Sequence, residues 1–306
     1  MESPDVVIIG GGPAGMSALL WCRSLNLRGV LLEGSAEPGG QMLAMFHQIP
    51  DYPGLPGLTG REMRDRFVDH LQDQGLDWRT GCRVESIDPL TRTVSSAGDE
   101  WRGKGLVIAT GARKRTLEVP GADRFIHRGV SFSGTRDHSL YAGRKVCVIG
   151  GGDSAIENCL ILSRVCPEVT LIHRSGRFRA RQAWLDEARG TGNIRFLLNT
   201  DVVSIEGEES VSGIVLRDRR DGSIRMMETG AVFIKIGITP NTEPFANHLA
   251  LDDGGYIVVD RRQQTSHDWV YAIGDVTNPV CLSVATAVGQ AAIAVKDIKE
   301  RIEKSR

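Results

Sequence analysis

Val6–Gly15 reads VVIIGGGPAG, and the same grammar returns at Val146–Ala155 as VCVIGGGDSA. Each stretch is a short β-branched run that stops at three glycines and passes into a helix-forming segment. A strand–turn–helix of this kind sets backbone N–H groups and the positive end of a helix against a pyrophosphate. Glycine permits the approach, because a Cβ at the turn would collide with the phosphate. One copy is a weak signal. Two copies, each followed by further strand and helix patterns, point to a flavoprotein that holds two nucleotides.

The residue that ends the next strand separates the two sites. Residues 5–33 read as βαβ, with Val6–Ile9, a helix from about Pro13 to Leu25, and Gly29–Glu33. Glu33 lies 23 residues after Gly10. A carboxylate there accepts hydrogen bonds from both hydroxyls of an adenosine ribose and repels a 2′-phosphate, which suits FAD. The second unit predicts a strand at Lys145–Ile149, the turn Gly150-Gly151-Gly152, a helix over Ser154–Val165 and a strand at Val169–Ile172. His173 follows at the same offset from Gly150, with Arg174, Arg177, Arg179 and Arg181 behind it. Arginines at that point make charge-assisted bonds to a 2′-phosphate, which suits NADPH. The plain alternatives are a surface acid at Glu33 and a solvated basic face at 173–181. Register with the glycines favours the nucleotides.

Other segments supply candidate walls for the first site. Residues 34–60 are loop-rich and carry Gly39-Gly40-Gln41 and Asp51-Tyr52-Pro53-Gly54. An amphipathic helix follows over Arg61–Gln74, with Met63, Phe67 and Leu71 on one stripe and Gly75 at its end. A β-rich piece over 77–104 leads to the strand Gly105–Ile108 and the break Ala109-Thr110-Gly111-Ala112, a turn suited to a cofactor lying over the sheet. Phe196–Phe233 reads as a strand meander, and Gly237–Asn241 as the return crossing. The strand ending at Gly274-Asp275 offers a carboxylate to a ribityl chain, or a cap to the helix that follows. That helix, Ser283–Ile302, opens at Ser283, Val284 and Ala285, where its positive end would stabilise negative charge on a reduced isoalloxazine.

Composition narrows the class. The chain has 306 residues, enough for about two domains. Lys+Arg number 37 against 38 Asp+Glu, which argues against a nucleic-acid or membrane-surface role. No apolar run approaches a membrane span of about 18 residues. The first strand begins by Val6, leaving no room for a signal peptide, so a cytoplasmic protein is expected. The six cysteines form no CxxC pair and no zinc spacing, and no metal is expected. Cys22, Cys147 and Cys159 fall on core-facing segments and read as reduced, buried thiols.

Taken together, GGGPAG at 10–15, GGQ at 39–41, DYPG at 51–54, ATGA at 109–112, GGGDSA at 150–155, HRxxxxR at 173–179, GITPNT at 237–242, and AIGDVT with SVATAVGQAA at 272–292 carry a resemblance. Over nearly its full length the chain resembles the low-molecular-weight thioredoxin reductases of the pyridine nucleotide–disulfide oxidoreductase family. The resemblance implies an α/β fold of two Rossmann-like three-layer domains with β-meander insertions. An FAD domain from 1–115 plus 243–306 would enclose an NADP(H)-like domain at 116–242, in a homodimer. It places FAD against Gly10, Gly12, Pro13, Ala14, Gly15, Glu33, Gly40, Gln41, Asp51, Ala109, Thr110, Gly111, Gly274, Asp275, Ser283, Val284 and Ala285. It places NADPH against Gly150, Gly152, Asp153, Ser154, His173, Arg174, Arg177, Arg179, Ile236 and Gly237.

The departures bear on function. Where the family carries its redox CxxC and Asp, this chain reads Ser133-Gly134-Thr135-Arg136-Asp137, so only the acid remains. Neither Ser nor Thr accepts electrons, and ordinary thioredoxin reductase activity is not expected. The loop at 42–47 is apolar where the family is Thr-rich, offering Phe46 or Tyr52 for stacking or simply filling core. Ser175 stands where the family has an arginine, which leaves a second FAD open at the NADPH site.

The leading expectation is an FAD-dependent oxidoreductase without the dithiol, passing electrons to ferredoxin, flavodoxin, a quinone or another acceptor. The alternatives are a diflavin protein, a disulfide reductase with a thioredoxin-like partner that uses another thiol such as Cys281, and a non-catalytic flavin sensor. Asp137 and Cys281 are the only candidates for a catalytic role.

Overall fold

Runs of buried β-branched residues build two parallel sheets. The computed structural model describes residues 4–45, 48–49, 51–76 and 78–305, so the stacking candidate Phe46 lies outside the described residues. In chain order the sheet strands begin with β1 (Val6–Ile9), β2 (Gly29–Leu32), β3 (Trp78–Arg79), β4 (Gly105–Ile108) and β5 (Val130–Ser131). They continue with β6 (Lys145–Gly150), β7 (Glu168–His173), β8 (Ile194–Leu198), β9 (Ala231–Lys235) and β10 (Val270–Ala272). The principal helices are α1 (Pro13–Ser24), α2 (Gly60–Asp73), α3 (Asp153–Ser163), α4 (Gln182–Gly190) and α5 (Val284–Lys304). The backbone divides into one unit from 1–113 and 239–306 and a second, continuous unit at 114–238.

The first unit has strand order β10-β4-β1-β2-β3. Its pairs are parallel, with Ile9 opposite both Leu32 and Ile108, so the carboxyl ends of the central strands are level. Every residue of β1 is buried. One face packs under α1 and α5, where Ala14, Ala18, Ala287, Ala291 and Ala294 share a core. Small side chains there let the two helices lie close to each other and to the sheet. The other face takes Val7, Ile9, Leu106 and Ile108 together with Ile87 and Val94 of an antiparallel ribbon, Ser86–Asp88, Thr93–Ser96 and Asp99–Arg102.

The second unit repeats the plan with order β8-β7-β6-β9-β5. Ile156, Cys159 and Leu162 of α3 and Leu185 of α4 cover one face. The expected meander resolves into β8, the antiparallel strands Thr200–Gly207, Val211–Asp218 and Ile224–Glu228, and β9. Ile205, Ile214 and Leu216 of that sheet pack on Cys147 and Ile149 of β6. The expected α/β class with two Rossmann-like domains is the observed one. Among the described residues no helix is long and apolar enough to cross a membrane.

Helix starts show the local logic. α2 begins in a full capping box, with Thr59 accepting from the Glu62 N–H while Glu62 accepts from the Thr59 N–H. α5 begins one residue later than the sequence suggests, because Ser283 is its cap and accepts from the Thr286 N–H at 3.1 Å. α1 and α3 have Gly12 and Gly152 as caps and no side-chain bond at all. Their first-turn N–H groups are left for something else.

Candidate functional site

The glycine turn of the first unit is shaped by three separate steric demands. Gly10 has φ +105°, and a Cβ there would sit 2.5 Å from the Ala109 carbonyl oxygen. A Cβ on Gly15 would fall 1.8 Å from the Gly10 oxygen, so α1 packs backbone to backbone on β1. A Cβ on Gly12 would meet nothing within 4 Å. Two glycines build the turn and the third faces open space at an uncapped helix start, led by Pro13 at its first position.

Neighbouring loops close around that turn. The Glu33 carboxylate accepts from the Gly11 N–H at 2.6 Å and the Ser35 N–H at 2.7 Å, which fixes it beside the glycines. Each oxygen keeps a lone pair for an outside hydroxyl. The Gly39 N–H donates to Gly11, and Gly40, at φ +52°, lies against Gly12. Gln41 donates through Nε2 to the Ala112 carbonyl at 2.9 Å and to Asp275 Oδ2 at 3.3 Å. Gly274, at φ +75°, faces Ala14, and its N–H donates to Gln290 at 2.7 Å. Burial raises the Asp275 carboxyl above the ordinary carboxylate range.

Gly10–Gly15, Glu33, Gly40, Gln41, Ala109–Gly111, Gly274 and Asp275 therefore converge on the carboxyl edge of this sheet. Val284 and exposed Ala285 open α5 behind the Ser283 cap. Two candidates stand apart from the open face. Thr110 donates to the Asn241 carbonyl at 2.8 Å and receives the Asn241 amide on its own carbonyl, which makes it a latch for that strand end. Asp51 is exposed in its turn and enters no hydrogen bond among the described residues.

The second unit keeps the glycine plan and alters its rim. Gly150 takes φ +154° with the Lys235 oxygen 2.3 Å from where a Cβ would be, while Gly152 faces open space. The His173 ring lies against Gly151, donates through Nε2 to the Arg177 carbonyl at 3.1 Å, and stacks on Phe178 at 5.2 Å. Burial pushes its pKa down, helped by Arg174 and Arg179, so the ring favours its neutral form. His173 is thus a wall of the turn. Asp153 and Arg181 occupy each other through two bonds, and Arg181 also lies over Trp184, which removes this pair from the free phosphate contacts. Ser154 is exposed on the first turn of α3. Arg174, Arg177 and Arg179 are exposed and, among the described residues, enter no ion pair. Ile236 and Gly237 follow β9 directly, with Gly237 exposed at φ +96°.

At the remaining candidates, chemistry is limited by surroundings. Asp137 is buried, and burial pushes its carboxyl up; hydrogen bonds from Arg136 and from Ser131 at 2.6 Å outweigh this and hold it low. An ionised, fully bonded carboxylate is a poor proton donor. Burial pushes the thiols of Cys22 and Cys147 up to about 12 and raises Cys159 and Cys166 as well. Such thiols are inert at neutral pH. Cys281 is exposed in the segment before α5, and Cys82 is half-buried. Sequence reading missed Gln290 and Lys235, whose places depend on pairings made far along the chain.

Comparison with known proteins agrees with this fold. The family profile described as pyridine nucleotide-disulphide oxidoreductase matches residues 4–291. A thioredoxin reductase of Mycolicibacterium smegmatis is 35% identical over 300 residues, 96% of this chain and 94% of that one. The crystal structure of Lactococcus lactis thioredoxin reductase in its FR conformation superposes with a TM-score of 0.83 at 31% identity, covering 99% of this chain and all 100% of the other. Thioredoxin reductase from T. acidophilum gives 0.80 at 30% identity, over 99% and 100% of the two chains.

Proposed function

Because this chain belongs to the pyridine nucleotide-disulphide oxidoreductase family, we propose that it is an NADPH-linked flavin reductase that works without an active-site dithiol. The family is FAD- and NADPH-dependent, and FAD when bound takes hydride equivalents from NADPH and delivers electrons to an acceptor. The first-unit residues fit that group. Gly12 leaves room for a pyrophosphate, the uncapped N–H groups of α1 would meet it, and Glu33 would hold the ribose hydroxyls. Gln41 holds Asp275, which would meet the ribityl chain, and the start of α5 would supply positive potential. In the second unit Gly152 and the start of α3 receive the other pyrophosphate, while Arg174, Arg177 and Arg179 offer guanidinium groups to a 2′-phosphate.

The observation that carries the missing dithiol is the turn Ser133–Asp137, where the only polar groups are hydroxyls and a locked Arg136–Asp137 pair. Cys22, Cys147, Cys159 and Cys166 are buried with raised thiols, so none of these four is poised to relay electrons. The acceptor is then an external one, such as a ferredoxin, a flavodoxin or a quinone. The protein is proposed to act as a homodimer, for which unit one offers an open cavity of about 770 Å³ lined by Leu20, Trp21, Tyr52, Leu55, Phe67 and Val288.

Anaerobic mixing of the purified protein with NADPH tests the reading. The flavin absorbance is expected to bleach within seconds and to return on adding a quinone. A flavin that NADPH never reduces sinks the proposal. Insulin reduction through thioredoxin is expected to be absent; turnover in that assay removes the claim that no dithiol is used. One FAD per chain is expected after heat release, and two equivalents would put a second flavin in the Gly150 site.

A further inference from the structure

Lys235 ends β9 opposite Gly150, at the carboxyl edge of the second sheet and at the point where its strand order reverses. Open α/β sheets take ligands at that point. The Lys235 ammonium donates to the Phe132 carbonyl at 3.1 Å, just ahead of the Ser133–Asp137 turn. The Arg115 N–H donates to the Gly237 carbonyl at 3.0 Å, which ties the chain at Lys114 to the end of β9. There the Lys114 charge repels that of Lys235, and Lys114 also feels Arg136 and Asp137. Both lysines are half-buried. Among the described residues neither has a carboxylate within ion-pair distance. Asp137 is committed to Arg136 and Ser131, and exposed Glu157 acts on Lys235 only from farther away.

Two cations drawn partly out of water beside each other, with no carboxylate paired to either among the described residues, destabilise the fold unless an anion joins them. We propose that Lys114 and Lys235 form a binding site for an oxyanion, a phosphate or carboxylate group, at the edge of the second unit. Each ammonium has donors to spare, Lys235 using one on Phe132. Burial first, and then Lys114, pushes Lys235 down to about 8; burial and then Arg136 push Lys114 down. An arriving anion opposes both effects. The group has two possible sources, a phosphate of the nucleotide held at Gly150–Gly152 or the acidic group of a separate electron acceptor.

The purified full-length protein is acylated with a succinimidyl ester, with and without inorganic phosphate, and each lysine is followed by peptide mass spectrometry. Phosphate is expected to protect Lys114 and Lys235 saturably and to leave exposed Lys145 unchanged. Lys235→Met should weaken phosphate binding about tenfold, and Lys235→Arg should keep it within about threefold. Lys114→Met serves as the second variant and should weaken it similarly. Repeating the titration with saturating NADP+ separates the sources. Protection by NADP+ with loss of phosphate binding assigns the anion to the nucleotide, and retained phosphate binding assigns it to a separate acceptor. If neither phosphate nor NADP+ protects the two lysines, or both methionine variants bind phosphate like the parent, the site does not exist.

Discussion

A methyl group added at Gly12 and one added at Gly15 have opposite consequences. Gly15→Ala drives a carbon to 1.8 Å from the Gly10 oxygen, so β1 and α1 must separate. It should cost at least about 3 kcal/mol in a urea melt. Gly12→Ala meets no protein atom within 4 Å and should leave stability within about 1 kcal/mol, yet the purified protein should lose its yellow colour. Lys235 gives a pH test. Its pKa is about 8 in the fold against an ordinary 10.5. Below pH 8 both folded and unfolded chains are protonated and the fold carries the whole penalty. Between the two values the unfolded chain holds more proton, so the penalty fades as pH rises. Lys235→Met should therefore stabilise by about 1–3 kcal/mol at pH 7 and by clearly less at pH 9.5, measured by paired denaturant curves. The glycines and Glu33 were readable in the sequence because their steric and spacing demands are local. Lys235 was not, since its meaning arises only when β9 pairs with β6 across more than eighty residues.

Helix starts divide by what satisfies them. α2 and α5 close their own first turns with Thr59 and Ser283, whereas α1 and α3 present bare glycine caps. Ser283→Ala should cost about 1 kcal/mol, seen as a lower melting temperature in the flavin-loaded and flavin-free protein alike. Stripping FAD should destabilise the first unit by about 4 kcal/mol relative to protein held at a thousandfold excess over its dissociation constant, and calorimetry with added FAD reads the difference. Periodicity located these helices within two residues, and Gly75 at φ +64° ends α2 as read. The 34–60 loop was less readable. Its one regular piece among the described residues is a 3-10 turn at Gly40–Ala44, too short to leave a periodic trace, and its anchoring to Gly11 and Asp275 is long-range.

The doubled glycine motif announced an inserted domain, since the Gly274-Asp275 strand and final helix had to rejoin the first sheet. Sequence reading set the joints at 115 and 243, and the contacts divide the backbone at 113 and 239. A fragment of residues 114–238 has its own five-stranded sheet and core and should unfold cooperatively by circular dichroism. A fragment ending at 113 lacks β10 and α5, which supply Tyr271, Ala291, Val295 and Ile298 to its core, and should show no cooperative transition.

The same interleaving sets an order of events during synthesis. β1 to β4 leave the ribosome early but wait through the whole of 114–238 before β10 and α5 emerge to cover them. Most of a hydrophobic sheet is meanwhile left for a chaperone to shield, and a translational pause between residues 114 and 270 would lengthen that exposure.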